Sequence, residues 1–139
     1  MSIYGVPFNE EKVRNNGASS FEEFREWVAE NGHNFLHSLT NLKTGNIIVF
    51  GWMEGTGEWK FVGDAIIKQN HKTGSVDWCN CEPKEKSGFS RHIVTGGVRL
   101  YPKSVNSKEI KSLKLGQFAT FTLQQYEKLI EESVSHWKP

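Results

Sequence analysis

Three tryptophans in the middle of the chain are the side chains best suited to contact a flat ligand. Trp52 follows Phe50 and Gly51 beside a glycine-rich connection, which suits a pocket wall, and Trp59 opens the next apolar run. Trp78 lies in a Val-x-Trp alternation beside two cysteines. A ring in such a setting either packs in the core or offers a face for a planar group to stack on. The sequence leaves both roles open for each tryptophan.

Two histidines and two cysteines have the residue types of a zinc site. These are His71, Cys79, Cys81 and His92. In an extended strand the Cys-x-Cys spacing points both thiols the same way, about 6 to 7 Å apart, wider than the tight knuckles of common zinc sites. The flanking spacings match no usual zinc pattern. We therefore expect two reduced cysteines, no metal and no cofactor.

The chain contains no motif of a common catalytic class. It lacks a Gly-x-Ser-x-Gly elbow, a phosphate-binding Gly-Lys-Ser/Thr loop and a His-Glu-x-x-His helix. Lys68 with Glu54 or Glu58 could act as a base and an acid, but nothing in their spacing requires it. We expect that this domain is not an enzyme, and that any catalytic part lies outside it.

The elements that would position these residues begin with a central β-hairpin. A β-branched run, Asn46 to Phe50, is joined to a second run, Trp59 to Lys68, through Gly55 and Gly57, and glycine in a short link is typical of hairpins. Side chains alternate along a strand. The alternation predicts that one face of the second run carries Trp59, Phe61, Ala65 and Ile67, and that the other carries Val62, Asp64 and Ile66.

Helices are predicted near both ends of the chain. Ser20 and Glu23 have the spacing of a capping box at the start of a helix over about residues 20 to 31. Thr122 and Gln125 repeat that spacing before a second apolar stripe. Six short strands are expected between them, near residues 36–39, 47–50, 59–68, 75–81, 93–100 and 118–121. The predicted fold is α+β, a small β-barrel of five to six strands flanked by an N-terminal and a C-terminal helix.

Length and charge place further bounds on the function. The 139 residues suit a single domain, and there is no apolar run of about 20 residues or signal-like start, so a cytoplasmic protein is expected. Residues 60–103 hold eight Lys/Arg and four Asp/Glu, a net charge of +4, which would attract phosphate groups. The phosphate-binding candidates are Lys60, Lys68, Lys72, Lys84, Lys86, Arg91, Arg99 and Lys103. An ordinary solvated surface would explain the same charges.

The order of the central residues resembles that of a known family. Leu42 and Gly45, the run 47–50, a glycine-rich link and the run 59–66 follow one another as in the core hairpin of PUA-like barrels, which include the PUA, ASCH, EVE and YTH domains. The later segments 76–78, 91–93 and 98–100 and the helix over 123–132 are similar in order and spacing to the second half of a YTH or EVE domain.

This resemblance implies a nucleic-acid-binding module. Related domains read modified bases, some as the N-terminal specificity module of McrB-type restriction proteins, so the resemblance implies binding to DNA, more than RNA, with a methylated base flipped into an aromatic pocket. The chain would then be an excised domain that targets a larger protein. The implied pocket residues are Trp52, Trp59, Trp78, His37, Ser38 and Asp64.

The chain departs from the YTH pattern at one place. Where YTH domains carry their first cage tryptophan, it has Phe35, Leu36, His37 and Ser38. Three other functions stay open on the sequence: an ASCH-like hydrolase of modified nucleosides, an RNA-binding PUA-like domain and a protein-interaction domain.

Overall fold

The computed structural model describes residues 2–9, 20–72 and 91–134, and it confirms the α+β class. The described strands and helices, in chain order, are β1 (Ile3–Phe8), α1 (Phe21–Asn31), β2 (Asn34–His37), β3 (Ile47–Met53), β4 (Trp59–Lys72), β5 (Arg91–Thr95), β6 (Arg99–Asn106), β7 (Ala119–Phe121) and α2 (Leu123–Ser133). A single 3₁₀ turn, Ser107–Glu109, follows β6. The strand predicted over 75–81 falls outside the described residues. In the described part, no helix has the length and apolarity needed to cross a membrane.

The seven strands form one mixed sheet rather than a closed barrel. The order is β2-β5-β4-β3-β1-β7, and β6 pairs with β4 beside this path. β1 runs parallel to β3 and antiparallel to β7. Within the described residues β2 and β7, the strands at the two ends of this order, do not pair with each other. The sheet therefore does not close into the expected barrel. The count of five to six strands was too low because β1 was not predicted and because the single strand expected near 93–100 is two strands, β5 and β6.

Both predicted helix starts are confirmed by their capping bonds. The Ser20 hydroxyl accepts from the Glu23 backbone N–H at 3.3 Å, and the reciprocal Thr122–Gln125 box is complete, with bonds of 2.8 and 3.1 Å. Such caps satisfy backbone N–H groups that have no partner inside the helix. The two helices therefore begin at positions set by local side chains.

The prediction of which β4 side chains share a face is wrong beyond the first half of the strand. Trp59 and Phe61 belong to one core cluster, whereas Val62, Ala65 and Ile67 belong to the other. The pairing of β4 with β6 shifts between Phe61 and Gly63, and such an irregularity interrupts the period-2 alternation. It places Ala65 and Ile67 against a different cluster from Trp59.

Gly63 is required at this shift because β6 comes so close. A Cβ at Gly63 would lie 2.5 Å from the carbonyl oxygen of Arg99, which is well inside van der Waals contact. Only glycine leaves room for a neighbouring backbone at that distance. The shift therefore depends on this one residue.

Two apolar clusters make up the core. The first, which we call the aromatic cluster, joins α1 to β1, β2 and β3 and includes Phe8, Phe24, Trp27, Phe35, Phe50 and Trp52. The second joins α2 to β4, β6 and β7 and includes Trp59, Phe61, Tyr101, Phe121 and Leu129. Each helix thus packs on its own part of the sheet.

Candidate functional site

The aromatic cluster is centred on Phe8, at the end of β1. Ring centroids of five other side chains lie between 5.0 and 6.1 Å from it, namely those of Phe24, Trp27, Phe35, His37 and Phe50. Trp52 joins through Phe24, at 5.2 Å. Such offset and edge-on contacts between rings are each worth about 0.5 to 1.5 kcal/mol beyond the burial of their area. Strands β1, β2 and β3 and helix α1 therefore bring their aromatic residues to one place.

Trp52 and Trp59 do not form one pocket. Trp52 is 6% exposed and belongs to the aromatic cluster, whereas Trp59 is 1% exposed and packs in the second cluster, 6.2 Å from the Phe61 ring. Both tryptophans are buried side chains of the core, and the stacking roles expected of them stay predictions. Trp78 lies outside the described residues.

His37 is held by the backbone on both of its ring nitrogens. Its Nδ1 accepts from the Leu39 N–H at 3.3 Å, so the proton lies on Nε2, which donates to the Pro7 carbonyl at 3.0 Å. The residue is 1% exposed. These bonds give His37 a structural role in joining the end of β2 to β1, in place of the expected hydrogen bond to a base. The half-buried Ser38 follows it, and its pocket role stays a prediction.

Asp64 is also occupied by the protein itself. Its carboxylate accepts from Arg99 Nε and Nη2 at 3.1 and 2.7 Å, and from the Tyr101 and Tyr126 hydroxyls at 2.8 Å each. We call these four residues the Asp64 tetrad. The Asp64 side chain is 9% exposed. Its Oδ2 accepts three of the four bonds and its Oδ1 accepts one, and the bond to a base amine that was expected of this carboxylate stays a prediction. The tetrad ties β4, β6 and α2 together.

The tetrad also raises the pKa values of its partners. Burial is the main cause that raises the pKa of Tyr126 to about 12, with the hydrogen bond to Asp64 as the second cause. Burial likewise raises the pKa of Tyr101, and the nearby Asp64 charge adds to it. The hydrogen bond to Asp64 raises the pKa of Arg99. The arrangement therefore favours neutral tyrosines and a charged arginine.

Several expected phosphate contacts are engaged inside the protein. Lys60 lies 3.1 Å from a Glu54 carboxylate oxygen and 4.6 Å above the Phe21 ring, and Arg91 bonds twice to Asn70, at 2.8 Å each. Arg99 belongs to the Asp64 tetrad. These contacts use only part of the hydrogen-bonding capacity of each cation, and the three phosphate-binding roles stay predictions.

Two of the other phosphate candidates have side chains that the structure describes. Lys68 is exposed and Lys103 is half-buried. Lys84, Lys86 and the side chain of Lys72 lie outside the described residues. Their phosphate-binding roles stay predictions.

The residues of the zinc alternative are only partly described. His71 and His92 are register partners across β4 and β5, and His92 also contacts Asn34 through its Nε2. Cys79 and Cys81 lie outside the described residues. Within the described ranges no three His, Cys, Asp or Glu side chains are grouped so as to hold a metal.

Two features of possible functional value were missed by the sequence analysis. Trp27, on α1, is 4% exposed and its indole N–H has no hydrogen-bond partner among the residues that the structure describes, although buried tryptophan N–H groups normally have one. Lys111 and Lys114 are exposed beside a groove at the start of α2. The helical spacing from Phe24 could have indicated the burial of Trp27, but no sequence signal indicates that its N–H is unpaired.

Comparison with known proteins finds the same overall fold in solved structures. No protein-family model matches the chain, and no curated protein matches it significantly. The solved structures of similar fold include the following two. Human THYN1, in complex with DNA containing 5-methylcytosine, has a TM-score of 0.57 and 12% identity over 100% of both chains. Protein Atu2648 from Agrobacterium tumefaciens has a TM-score of 0.53 and 16% identity over 96% of this chain and 93% of its own.

Proposed function

We propose that this domain binds DNA and reads a modified base, which it flips into a pocket at the aromatic cluster. The observation that carries the proposal is the gathering of five rings around Phe8, with Trp52 joined through Phe24, together with the buried N–H of Trp27, which has no partner among the described residues. Rings supply stacking faces and a methyl-sized apolar wall, and an unpaired donor supplies a hydrogen bond to a base edge. The THYN1 complex supports the ligand class, because that protein of similar fold binds DNA containing 5-methylcytosine.

Stacking in such a pocket would offset much of the cost of flipping a base. Extrusion costs a few kcal/mol of unstacking, and stacking on an aromatic side chain returns about 1 to 3 kcal/mol per base. In this proposal Trp52 and Ser38 line the pocket, with Trp27 as a donor. His37, Trp59 and Asp64 support the fold around it. A role as the targeting module of a larger cytoplasmic protein, with no catalysis of its own, completes the proposal.

The test replaces one tryptophan from each core cluster, so that the same change of side chain is made inside and outside the proposed pocket. Trp52→Leu removes an aromatic face from the proposed pocket, and Trp59→Leu removes one from the second cluster. Both variants lose core packing, so both should unfold at a lower temperature. We expect Trp52→Leu alone to bind a 5-methylcytosine oligonucleotide roughly tenfold or more weakly, by the loss of stacking.

Affinity and thermal stability are measured on the same samples, well below the unfolding temperature, with modified and unmodified strands. A wild-type protein that binds neither strand would overturn the proposal. Equal affinities of the wild type and Trp52→Leu would show that Trp52 does not line the base pocket. Equal losses in both variants would show that affinity follows general stability instead of the pocket.

A further inference from the structure

A groove beside the start of α2 borders the aromatic cluster through one lining residue, Phe118. It is an open groove with a volume of about 480 Å³, within the range of about 300 to 1,000 Å³ typical of pockets for small molecules. Its lining comes from the loop of residues 112–118, from Thr120 on β7, from Thr122 at the N-cap of α2 and from Gln125 on α2. The groove is therefore large enough to take one unit of a polymer chain.

The sides of the groove are held by specific contacts. Gln125 Oε1 accepts from the Thr122 N–H at 2.8 Å, and Gln125 Nε2 donates to the Lys111 carbonyl at 3.1 Å. The half-buried Phe118 ring meets the Tyr4 ring edge-on at 5.4 Å. A ligand would thus meet a prearranged surface, which lowers the ordering cost of binding.

The chain segment beside the groove is strongly basic. Residues 103–114 contain four lysines and one acidic residue, Glu109. The Glu109 carboxylate accepts from the Asn106 N–H in a capping box. Among the described residues, Lys111 and Lys114 form no ion pair, and both are exposed. Their charges are left to attract an anion in solution.

We propose that this groove binds the sugar-phosphate backbone of a nucleic-acid strand. Lys111 and Lys114 neutralise its phosphates, and the hydroxyls of Ser112, Thr120 and Thr122 donate to phosphate oxygens. The Thr122 oxygen already accepts from the Gln125 N–H, but its own proton remains available to donate. This inference rests on the proposed function, since it gives the bound strand a second contact that holds it without reading its sequence.

The chemistry of the groove favours nucleic acid over an acidic peptide. Protein interfaces are enriched in aromatic residues and arginine, and they are depleted in lysine and serine. Phosphate contacts, by contrast, commonly use lysine and hydroxyl side chains. The combination of Lys114, Ser112 and two threonines therefore matches a phosphate backbone.

The test replaces Lys111 and Lys114 together. A lysine that is already in an ion pair is replaced as the control. Lys111→Ala with Lys114→Ala should weaken binding to modified and unmodified strands by the same factor. The slope of log affinity against log salt should become shallower by roughly 0.9 per lost phosphate contact on duplex DNA. The control is Lys128→Ala, whose ammonium lies 2.8 Å from a Glu132 carboxylate oxygen, and it should change neither quantity. Thr120→Glu, which adds a negative charge to the lining, should weaken binding in the same way.

Each outcome decides between the two proposals. A wild-type protein that binds no oligonucleotide would overturn both. Wild-type binding with an unchanged salt slope in the double variant and in Thr120→Glu would overturn the groove alone, as would an equal loss in Lys128→Ala. A hexaglutamate peptide that binds the wild type but not the double variant, with DNA affinity unchanged, would assign the groove to an acidic protein partner instead.

Discussion

At the scale of single residues, a polar side chain is defined by the partners that reach it. Asp64 has the chemistry of a base-binding carboxylate, but Arg99, Tyr101 and Tyr126 occupy its oxygens. The ring nitrogens of a histidine can likewise bond to a ligand or to the backbone, and both nitrogens of His37 bond to the backbone. Residue type therefore defines what a group can bind, and its neighbours decide what it does bind.

The Asp64 tetrad predicts a loss of stability in alkali. Folding raises the pKa of Tyr126 from an ordinary value near 10 to about 12, so the folded state favours the neutral phenol. That contribution is complete below about pH 10 and is lost as the pH rises to about 12. The free energy of unfolding, measured by urea between pH 9 and pH 12, should fall more steeply for the wild type than for Tyr126→Phe. Parallel curves would contradict the role of Tyr126.

At the scale of elements, the register of β4 depends on a close backbone approach. The shift at Gly63 moves Ala65 and Ile67 to the aromatic cluster and brings Asp64 to the side of Tyr101. Strict alternation would have put Asp64 on the same side as Val62, away from its partners. One irregularity in the strand therefore assembles the tetrad.

Gly63→Ala should be destabilising because its Cβ would lie 2.5 Å from the Arg99 carbonyl oxygen. Overpacking of this kind costs about 1 to 3 kcal/mol, and chemical denaturation would measure it. Gly55→Ala is the matched control, since an added Cβ there meets nothing within 4 Å, and it should be neutral or slightly stabilising. If Gly63→Ala were as stable as Gly55→Ala, β6 would have to move away easily, and the tight register would not be needed.

At the scale of the whole molecule, β1 joins β7 to the rest of the sheet. It pairs with β3 over six residues and with β7 over three. It also supplies Phe8 to the aromatic cluster and Ile3 to the second cluster. Both clusters therefore depend on this strand, which comes from the start of the chain.

Val6→Asn tests this dependence because Val6 is fully buried in the middle of β1. The change removes about 1.5 to 3 kcal/mol of apolar burial and leaves an amide without partners, at a further cost of about 1 to 3 kcal/mol. Thermal unfolding should show a loss of at least about 3 kcal/mol. Ile66→Asn, at a side chain 49% exposed, should cost about 1 kcal/mol or less. A small loss of stability in Val6→Asn would show that β1 contributes little to the stability of the fold.

The sequence by itself determined the α+β class, both helix starts and the central hairpin. Helix caps and hairpin links depend on residues within a few positions of one another, so Ser20, Thr122 and Gly57 carry their information locally. Only the tertiary structure decided that Trp59 is core, that Asp64 bonds to Arg99 and two tyrosines and that β1 extends the sheet. Asp64 lies 37 and 62 positions from the tyrosines that occupy it, and β1 pairs with a strand more than 100 positions away. Contacts over such separations arise from packing of the whole chain, which no local pattern of residues records.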